Sequence, residues 1–278
     1  MVSVMDHGLA GATAIVTGGS SGIGFAIARG LAAAGASLVL AGRNRGLGAA
    51  AERALGGEGA RVRFIAADVS SEDDVRDLVA ETVRLFGPPS HLVNNAGPSG
   101  AAFGLGAIHA LPNETFLDAM DIGVMGALRC CRHVLPHMIA RQHGVILNIS
   151  AIAATRALPL MGAYAMSKAA MEALGRQVAN DYAREGVRCN NLVVGTVRPE
   201  QDDVSALPEG FAHAALDTAI GKTTMMDRVG TYGEAADAAF FLLSEQSRYM
   251  TGASIPVEGG ALARLAYPDY SEALRGEA

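Results

Sequence analysis

The sequence predicts an α/β fold in which a doubly wound, seven-stranded parallel sheet is covered by helices on both faces. Three observations predict it. Seven short apolar runs alternate with segments of helical period along almost the whole chain. The first run breaks into a glycine-rich turn, Gly18-Gly19-Ser20-Ser21-Gly22-Ile23-Gly24, that leads straight into a helical pattern. Across 278 residues no repeat, linker or low-complexity segment interrupts the alternation. A single domain over residues 1–260 is therefore expected, followed by a polar tail at 261–278 on the surface or at an interface.

In order, strands are expected at Ala14–Val16, Ser37–Ala41, Val62–Ala67, Leu92–Asn95, Val145–Ser150, Val187–Val193 and Ser254–Val257. Runs apolar on both faces and separated by helices specify strands buried between two helical layers. The helices fall between them, at 22–34, 45–56, 71–86, 113–141, 161–184 and 233–245. The stretch 195–232, with Pro199, Pro208 and several glycines, is read as one long irregular loop. A loop of that length in a compact domain is expected to be a lid or binding element.

Composition narrows the function classes. The net charge is −6 and no basic run occurs, which argues against nucleic acid as the main partner. Three cysteines, Cys130, Cys131 and Cys189, form an odd set without metal-like spacing, as expected of reduced thiols in a cytoplasmic protein. The start MVSVMDHGLAG lacks the basic and apolar regions of a signal peptide, and no apolar run is long enough to span a bilayer. Cys130, His133 and His137 could line one helix face at metal-ligand spacing. No fourth ligand accompanies them and Pro136 interrupts the pattern, so packing and surface roles are expected and no metal.

The strand ends carry the polar residues with chemical meaning. A strand delivered through glycines to a helix N-terminus makes a phosphate cradle, because free N–H groups and the helix dipole face the anion. The spacing here, Gly18-x-x-x-Gly22-x-Gly24, departs from the usual G-x-G-x-x-G fingerprint. After the second strand comes Gly42-Arg43-Asn44-Arg45, with no acid to accept from a ribose 2′-OH and with Arg43 suited to a 2′-phosphate. The third strand ends in Asp68-Val69 and the fourth in Asn94-Asn95-Ala96-Gly97. Tyr164 and Lys168 stand at i and i+4, on one helical face. A neighbouring ammonium favours phenolate, so the pair is expected to lower the tyrosine pKa from about 10 and supply a general acid/base.

Together these motifs resemble the short-chain dehydrogenase/reductase family over almost the full length. The resemblance rests on TGGSSGIG at 17–24, DV at 68–69, NNAG at 94–97, YAMSK at 164–168, DRVG at 227–230, YMTG at 249–252 and VEGG at 257–260. It implies a Rossmann-type sheet holding NAD(H) or NADP(H), with Tyr164 as general acid/base and Lys168 binding the nicotinamide ribose. The cofactor contacts it implies are Gly18, Ser20, Ser21, Gly22, Ile23, Gly24, Arg43, Asp68, Val69, Asn94, Ala96, Gly97, Tyr164, Lys168 and Val197. Arg43 favours NADP(H) over NAD(H), although Ser21 stands where a second basic residue often accompanies that preference. A homodimer or homotetramer acting on a small molecule is the family's usual form.

Three departures mark this chain. The family's catalytic serine position holds Ala151, its catalytic asparagine position holds Gly123, and Val194-Gly195 replaces Pro-Gly, with Pro199 where a threonine is common. Losing one donor to a developing oxyanion typically costs about 10² to 10³ in kcat. Glycine inside a helix costs about 1 kcal/mol relative to alanine, which suggests a backbone reason or room for a substrate. Three readings follow: a working carbonyl reductase, an enzyme of altered chemistry such as an enoyl reductase or isomerase, or a silent dinucleotide-binding protein. Retention of Tyr164 and Lys168 favours the first two. Met225 and Met226, on the expected lid, point to an apolar substrate.

Overall fold

The computed structural model describes residues 7–57, 59–199 and 214–265. The apolar runs become strands because their side chains serve two cores by turns. In β1 (Thr13–Thr17), Ala14 and Val16 enter one core and Ile15 the other. β2 (Ser37–Gly42) divides its residues likewise, Leu38 and Leu40 against Val39 and Ala41. These two pair in parallel with β3 (Val62–Ala66), β4 (His91–Asn94), β5 (Gly144–Ala151), β6 (Val187–Val194) and β9 (Ser254–Val257), in the order β3-β2-β1-β4-β5-β6-β9.

One core is roofed by α1 (Gly22–Ala33), α2 (Arg45–Gly57) and α8 (Tyr232–Leu243). The other lies under α3 (Glu72–Phe86), α5 (Gly126–Ala140) and α6 (Gly162–Tyr182). The winding reverses between β1 and β4, and the carboxyl ends of those strands open the crevice in which such sheets bind their ligands.

Two regions differ from the sequence expectation. The helix expected at 113–141 is α4 (Asn113–Met120), a π-helical turn at Asp121–Met125 and then α5. Pro136 lies inside α5 instead of ending it: Val134, Leu135 and Met138 are buried on either side, and that packing holds the helix through the lost backbone bond. The stretch 195–232 is not wholly irregular either. It contains β7 (Val197–Arg198), α7 (Ala214–Gly221) and β8 (Gly230–Thr231), with β7 and β8 paired in parallel and Arg198 bridging to Asp217 at 2.7 Å. Elements this short leave no periodicity to read. Residues 200–213 of the expected lid and 266–278 of the expected tail lie outside the described residues.

Three neighbouring strands carry buried amides at one level. Asn94 donates to Asn148 at 2.9 Å and Asn148 to Asn191 at 3.0 Å, each across a register pair. Asn191 continues to the Ser254 hydroxyl at 3.1 Å and to the Glu172 carbonyl oxygen at 3.3 Å.

His91 opens β4 inside the protein, its Nδ1 at 2.9 Å from the Ser90 hydroxyl and its Nε2 at 3.2 Å from the Leu243 carbonyl oxygen. Burial pushes its pKa from 6.5 down to about 4, and the nearby His143 and Arg188 oppose the proton further, against the raising effect of the Leu243 carbonyl. The folded state thus excludes a proton that the unfolded chain accepts. The contribution to stability is complete above pH 6.5 and is lost as pH falls to about 4. It amounts to about 3 kcal/mol, since each tenfold change in proton affinity is worth about 1.4 kcal/mol. Denaturant titrations at pH 7 and pH 4.5 should show this loss, and His91→Gln should show a smaller pH dependence than the wild type.

Candidate active site

The glycine turn after β1 is fastened to the strand beside it. Thr17 Oγ1 donates to the Val93 carbonyl oxygen at 3.2 Å and accepts from the Asn95 and Ala96 amides at 3.0 and 3.1 Å. Asn95 Nδ2 donates to the carbonyl oxygens of Thr17 and Gly18 at 3.0 and 3.1 Å. Gly18 has φ +63°, and a Cβ on Gly24 would lie 2.4 Å from the Gly18 oxygen. Only glycine permits this fold-back of the turn onto the helix. Ser21 caps α1 in extended conformation, and its side chain makes no cap bond to the first turn. The helix start thus faces the crevice with no side chain capping it.

That crevice has a volume of about 570 Å³ and is lined by Gly18, Ser20, Ser21, Arg43, Asp68, Val69, Asn95, Ala96 and Gly97, among others. Arg43, 63% exposed, stands 3.9 Å from the Asp68 carboxylate. Burial works to raise the Asp68 pKa, but the Ser70 hydroxyl and amide at 2.7 and 2.9 Å, helped by Arg43 and Arg129, outweigh it and hold the carboxyl below its usual value. Arg129 donates to the Val69 carbonyl oxygen at 3.2 Å and to the Asp121 carboxylate at 2.6 Å, tying the π turn to the crevice wall.

A second cleft, of about 470 Å³, continues from the first; Asn95, Gly97 and Ser99 line both. Its walls include Ile23, Phe103, Ala151, Tyr164, Lys168, Gly195 and Tyr232. Lys168 is buried, and its Nζ donates to the Ile149 carbonyl oxygen at 2.7 Å. Burial pushes its pKa down to about 8. Burial pushes Tyr164 the other way, up to about 12. The expected lowering of the phenol pKa by its lysine is therefore not found within the chain itself. The ammonium lies 5.8 Å from the tyrosine ring centroid and is engaged with a backbone carbonyl, so the loss of water around the phenol decides the outcome.

The two positions of departure have distinct causes. Ala151 ends β5 on the cleft wall and brings no hydroxyl there. Ser150 does not substitute for it, since its hydroxyl donates to Glu172 at 2.7 Å on the buried side; Ser254 donates to the other oxygen of that carboxylate at 2.8 Å. Gly123 sits in the π turn where it meets α6. A Cβ there would lie 2.9 Å from Ser167 Cβ and 3.0 Å from its Oγ, so close approach of the two helices is what glycine permits. π turns inside α-helices frequently mark functional sites.

Not every expected contact reaches the clefts. Asn94 is buried in the amide row, and Asn95 takes the place at the crevice. Val197 pairs with Gly230 and packs on the core, away from either cleft lining. Gly22 and Gly24 shape the turn and do not line the crevices. The site also contains Phe103, whose ring stacks on Tyr164 with centroids 4.4 Å apart and planes at 23°. The NNAG motif already contained Asn95; nothing in the sequence singled out Phe103. Among the described residues no cluster of metal-ligating side chains occurs. Cys130 is buried with its thiol pushed up by burial, and His133 contacts Glu72 at 2.8 Å.

A family model described as enoyl-(acyl carrier protein) reductase matches residues 18–261. The chain is 37% identical over 248 residues to 2-(R)-hydroxypropyl-CoM dehydrogenase of Xanthobacter autotrophicus, covering 88% of this chain and 96% of that one. It is 33% identical over 204 residues to an inactive 2-(S)-hydroxypropyl-CoM dehydrogenase 2 of the same organism, covering 72% and 84%. The structure of L-sorbose reductase from Gluconobacter frateurii, complexed with NADPH and L-sorbose, superimposes with a TM-score of 0.84 at 30% identity, over 94% of this chain and all of that one.

Proposed function

The chain belongs to the short-chain dehydrogenase/reductase family, and on that premise we propose that it is an NAD(P)(H)-dependent oxidoreductase that interconverts a carbonyl and a hydroxyl on a small apolar substrate, with Tyr164 moving the proton. One observation carries this reading. The cleft holding Tyr164 and Lys168 runs into the crevice beneath the glycine turn, with Asn95, Gly97 and Ser99 common to both.

The residues present fit a dinucleotide. The close approach at Gly24 and the helix start at Ser21, with no side-chain cap, suit a pyrophosphate; Asp68 and Val69 suit the adenine end, and Lys168 a ribose hydroxyl. A nicotinamide held beside Tyr164 and Lys168 would supply or accept the hydride. Tyr164 holds its proton at Oη, since a pKa near 12 keeps the phenol neutral at pH 7, the state that donates to a forming alkoxide. Lys168, with a pKa near 8, stays mainly cationic at that pH and can attract a ribose oxygen. Phe103 and Ile23 line the cleft, which favours an apolar substrate; Met225 and Met226 stand outside its lining, with their amides bonded to the Gly259 carbonyl oxygen. Loss of NADPH absorbance with a panel of small apolar ketones tests the reading.

Within this proposal NADP(H) is preferred over NAD(H), because Arg43 reaches into the crevice and no acid follows β2. NADPH should bind more tightly than NADH by about 1.5–3 kcal/mol, the range for charge-assisted hydrogen bonds. The exposure of Arg43 and its competing contact with Asp68 favour the lower end. Fluorescence titration of both cofactors should show the gap in the wild type and its collapse in Arg43→Ala. Equal affinities in the wild type would remove the assignment.

The proposal extends to a cytoplasmic homodimer or homotetramer. The three buried free thiols are compatible with a reducing compartment, and Leu117, Met125 and Met166 stand exposed along α4 to α6, where a second copy could cover them. Among the described residues no helix is long and apolar enough to cross a membrane. A second reading, a silent dinucleotide-binding protein, is favoured by Ala151 and Gly123 and by the 33% identity to the inactive relative. It predicts NADPH binding without oxidation against any ketone in the same panel.

A further inference from the structure

Tyr164 is held by very little that is polar. No hydrogen bond from a described residue reaches its hydroxyl, and Ala151, on the same cleft wall, brings no side chain that could orient it. Its ring instead lies against Phe103, at 4.4 Å and 23°. Phe103 ends a short 3-10 turn, Gly100–Phe103, that stops at Gly104 in left-handed conformation with φ +67°. This loop is laced to the chain just ahead of Tyr164. A Cβ on Gly104 would lie 2.9 Å from Ala163 Cβ, the Gly106 amide donates to the Leu160 carbonyl oxygen at 2.9 Å, and Gly106 bridges to Met161. The loop is therefore fastened to the chain that opens α6, and the stack is part of that packing.

We propose that Phe103 is a positioning residue for the reaction, its ring fixing the plane of the Tyr164 phenol where this chain lacks the polar groups that would otherwise do so. The proposal rests on the reading of Tyr164 as the proton-transferring residue. Stacked aromatic pairs gain from an offset, near-parallel arrangement, so the flat face of Phe103 restricts rotation of the phenol in a way that an aliphatic side chain of similar bulk does not. The same ring keeps water from the phenol, which accords with the raised Tyr164 pKa.

Four proteins test it: wild type, Phe103→Tyr, Phe103→Leu and Phe103→Ala, assayed with NADPH and the best ketone of the panel. Misorientation of a catalytic group costs of order tenfold to 10²-fold, so kcat should fall about tenfold or more in the Leu and Ala variants. Phe103→Tyr, which keeps the flat ring, should stay within about threefold of the wild type, a loss no larger than an aromatic contact is worth. KM for NADPH should change much less than kcat, because Phe103 lines only the Tyr164 cleft and not the crevice beneath the glycine turn that takes most of the dinucleotide. Ultraviolet titration of tyrosinate should place the Tyr164 transition at lower pH in Phe103→Ala than in the wild type, the transition being identified by its absence in Tyr164→Phe. Unchanged kcat in both Leu and Ala, a loss that Phe103→Tyr does not rescue, or a rise in KM for NADPH that matches the loss would each overturn the proposal. Activity surviving in Tyr164→Phe overturns the underlying reading instead, a result separable from all of these.

Discussion

Replacing Tyr164 with phenylalanine is expected to lower turnover by about 10²- to 10⁴-fold, the range for a positioned general acid/base, while NADPH binding changes little. The substitution removes one oxygen and its proton. It keeps the ring, and with it the stack on Phe103, so the fold around the cleft should not relax. Lys168→Ala should behave differently. The buried ammonium is bonded to the Ile149 carbonyl oxygen, and its removal deletes both a positive charge beside the crevice and a packed side chain. Both kcat and NADPH affinity should then fall. Stopped-flow hydride transfer combined with cofactor titration separates the two patterns, and undiminished turnover in Tyr164→Phe would refute the proposed chemistry.

The second large effect is expected from Ala151→Ser. Residue 151 ends β5 on the cleft wall, so a hydroxyl added there can donate to an oxyanion beside Tyr164. One such donor is typically worth about 10² to 10³ in kcat, and the single substitution should raise turnover of simple ketones by up to about 10²-fold. Adding Gly123→Asn should undo part of that gain. The new Cβ would sit 2.9 Å from Ser167 Cβ, in the turn of α6 that carries Lys168, and overpacking of this kind typically costs about 1–3 kcal/mol. The double variant is therefore expected to be less stable, and less active on simple ketones, than Ala151→Ser alone; steady-state rates and thermal melts of both proteins decide it. No gain in Ala151→Ser would mean that the cleft is shaped for a substrate that needs no second donor.

The fold was legible because its determinants are local and repeated. Residues such as Ala14, Val16 and Ile15 announce a strand with two buried faces, and the strand–glycine–helix junction at Gly18–Gly24 announces the crevice. Tyr164 and Lys168 were legible for the same reason, since one helical turn fixes their relation whatever lies around them. What escaped depends on contacts made after the chain has folded. Asn94 and Asn95 are adjacent, and only the strand's last paired residue decides which of them enters the sheet. The π turn at Asp121–Met125 shows only Gly123 in its sequence, and the close approach to Ser167 that this glycine permits is made by a helix some forty residues away. The Tyr164 pKa follows from burial, which no i to i+4 spacing reports. Phe103 sits in an aperiodic loop whose path is set by glycines meeting another element.

The row of amides across β4, β5 and β6 has a consequence for how the sheet assembles. Apolar strands can slide past one another by two residues and still present oil to oil. Asn94, Asn148 and Asn191 oppose that: although the Asn94 amide oxygen stays unpartnered among the described residues, a shifted register would strand further buried amide groups at a cost of about 1–3 kcal/mol each. The row thus acts as a vernier, and three parallel strands that arrive from distant parts of the chain find a single setting. At one edge of the sheet β9 joins the row through Ser254, whose hydroxyl accepts from Asn191 and donates to the Glu172 carboxylate of α6. The helix bearing Tyr164 and Lys168 is thereby latched, through Glu172, to the same register that aligns the strands beneath it.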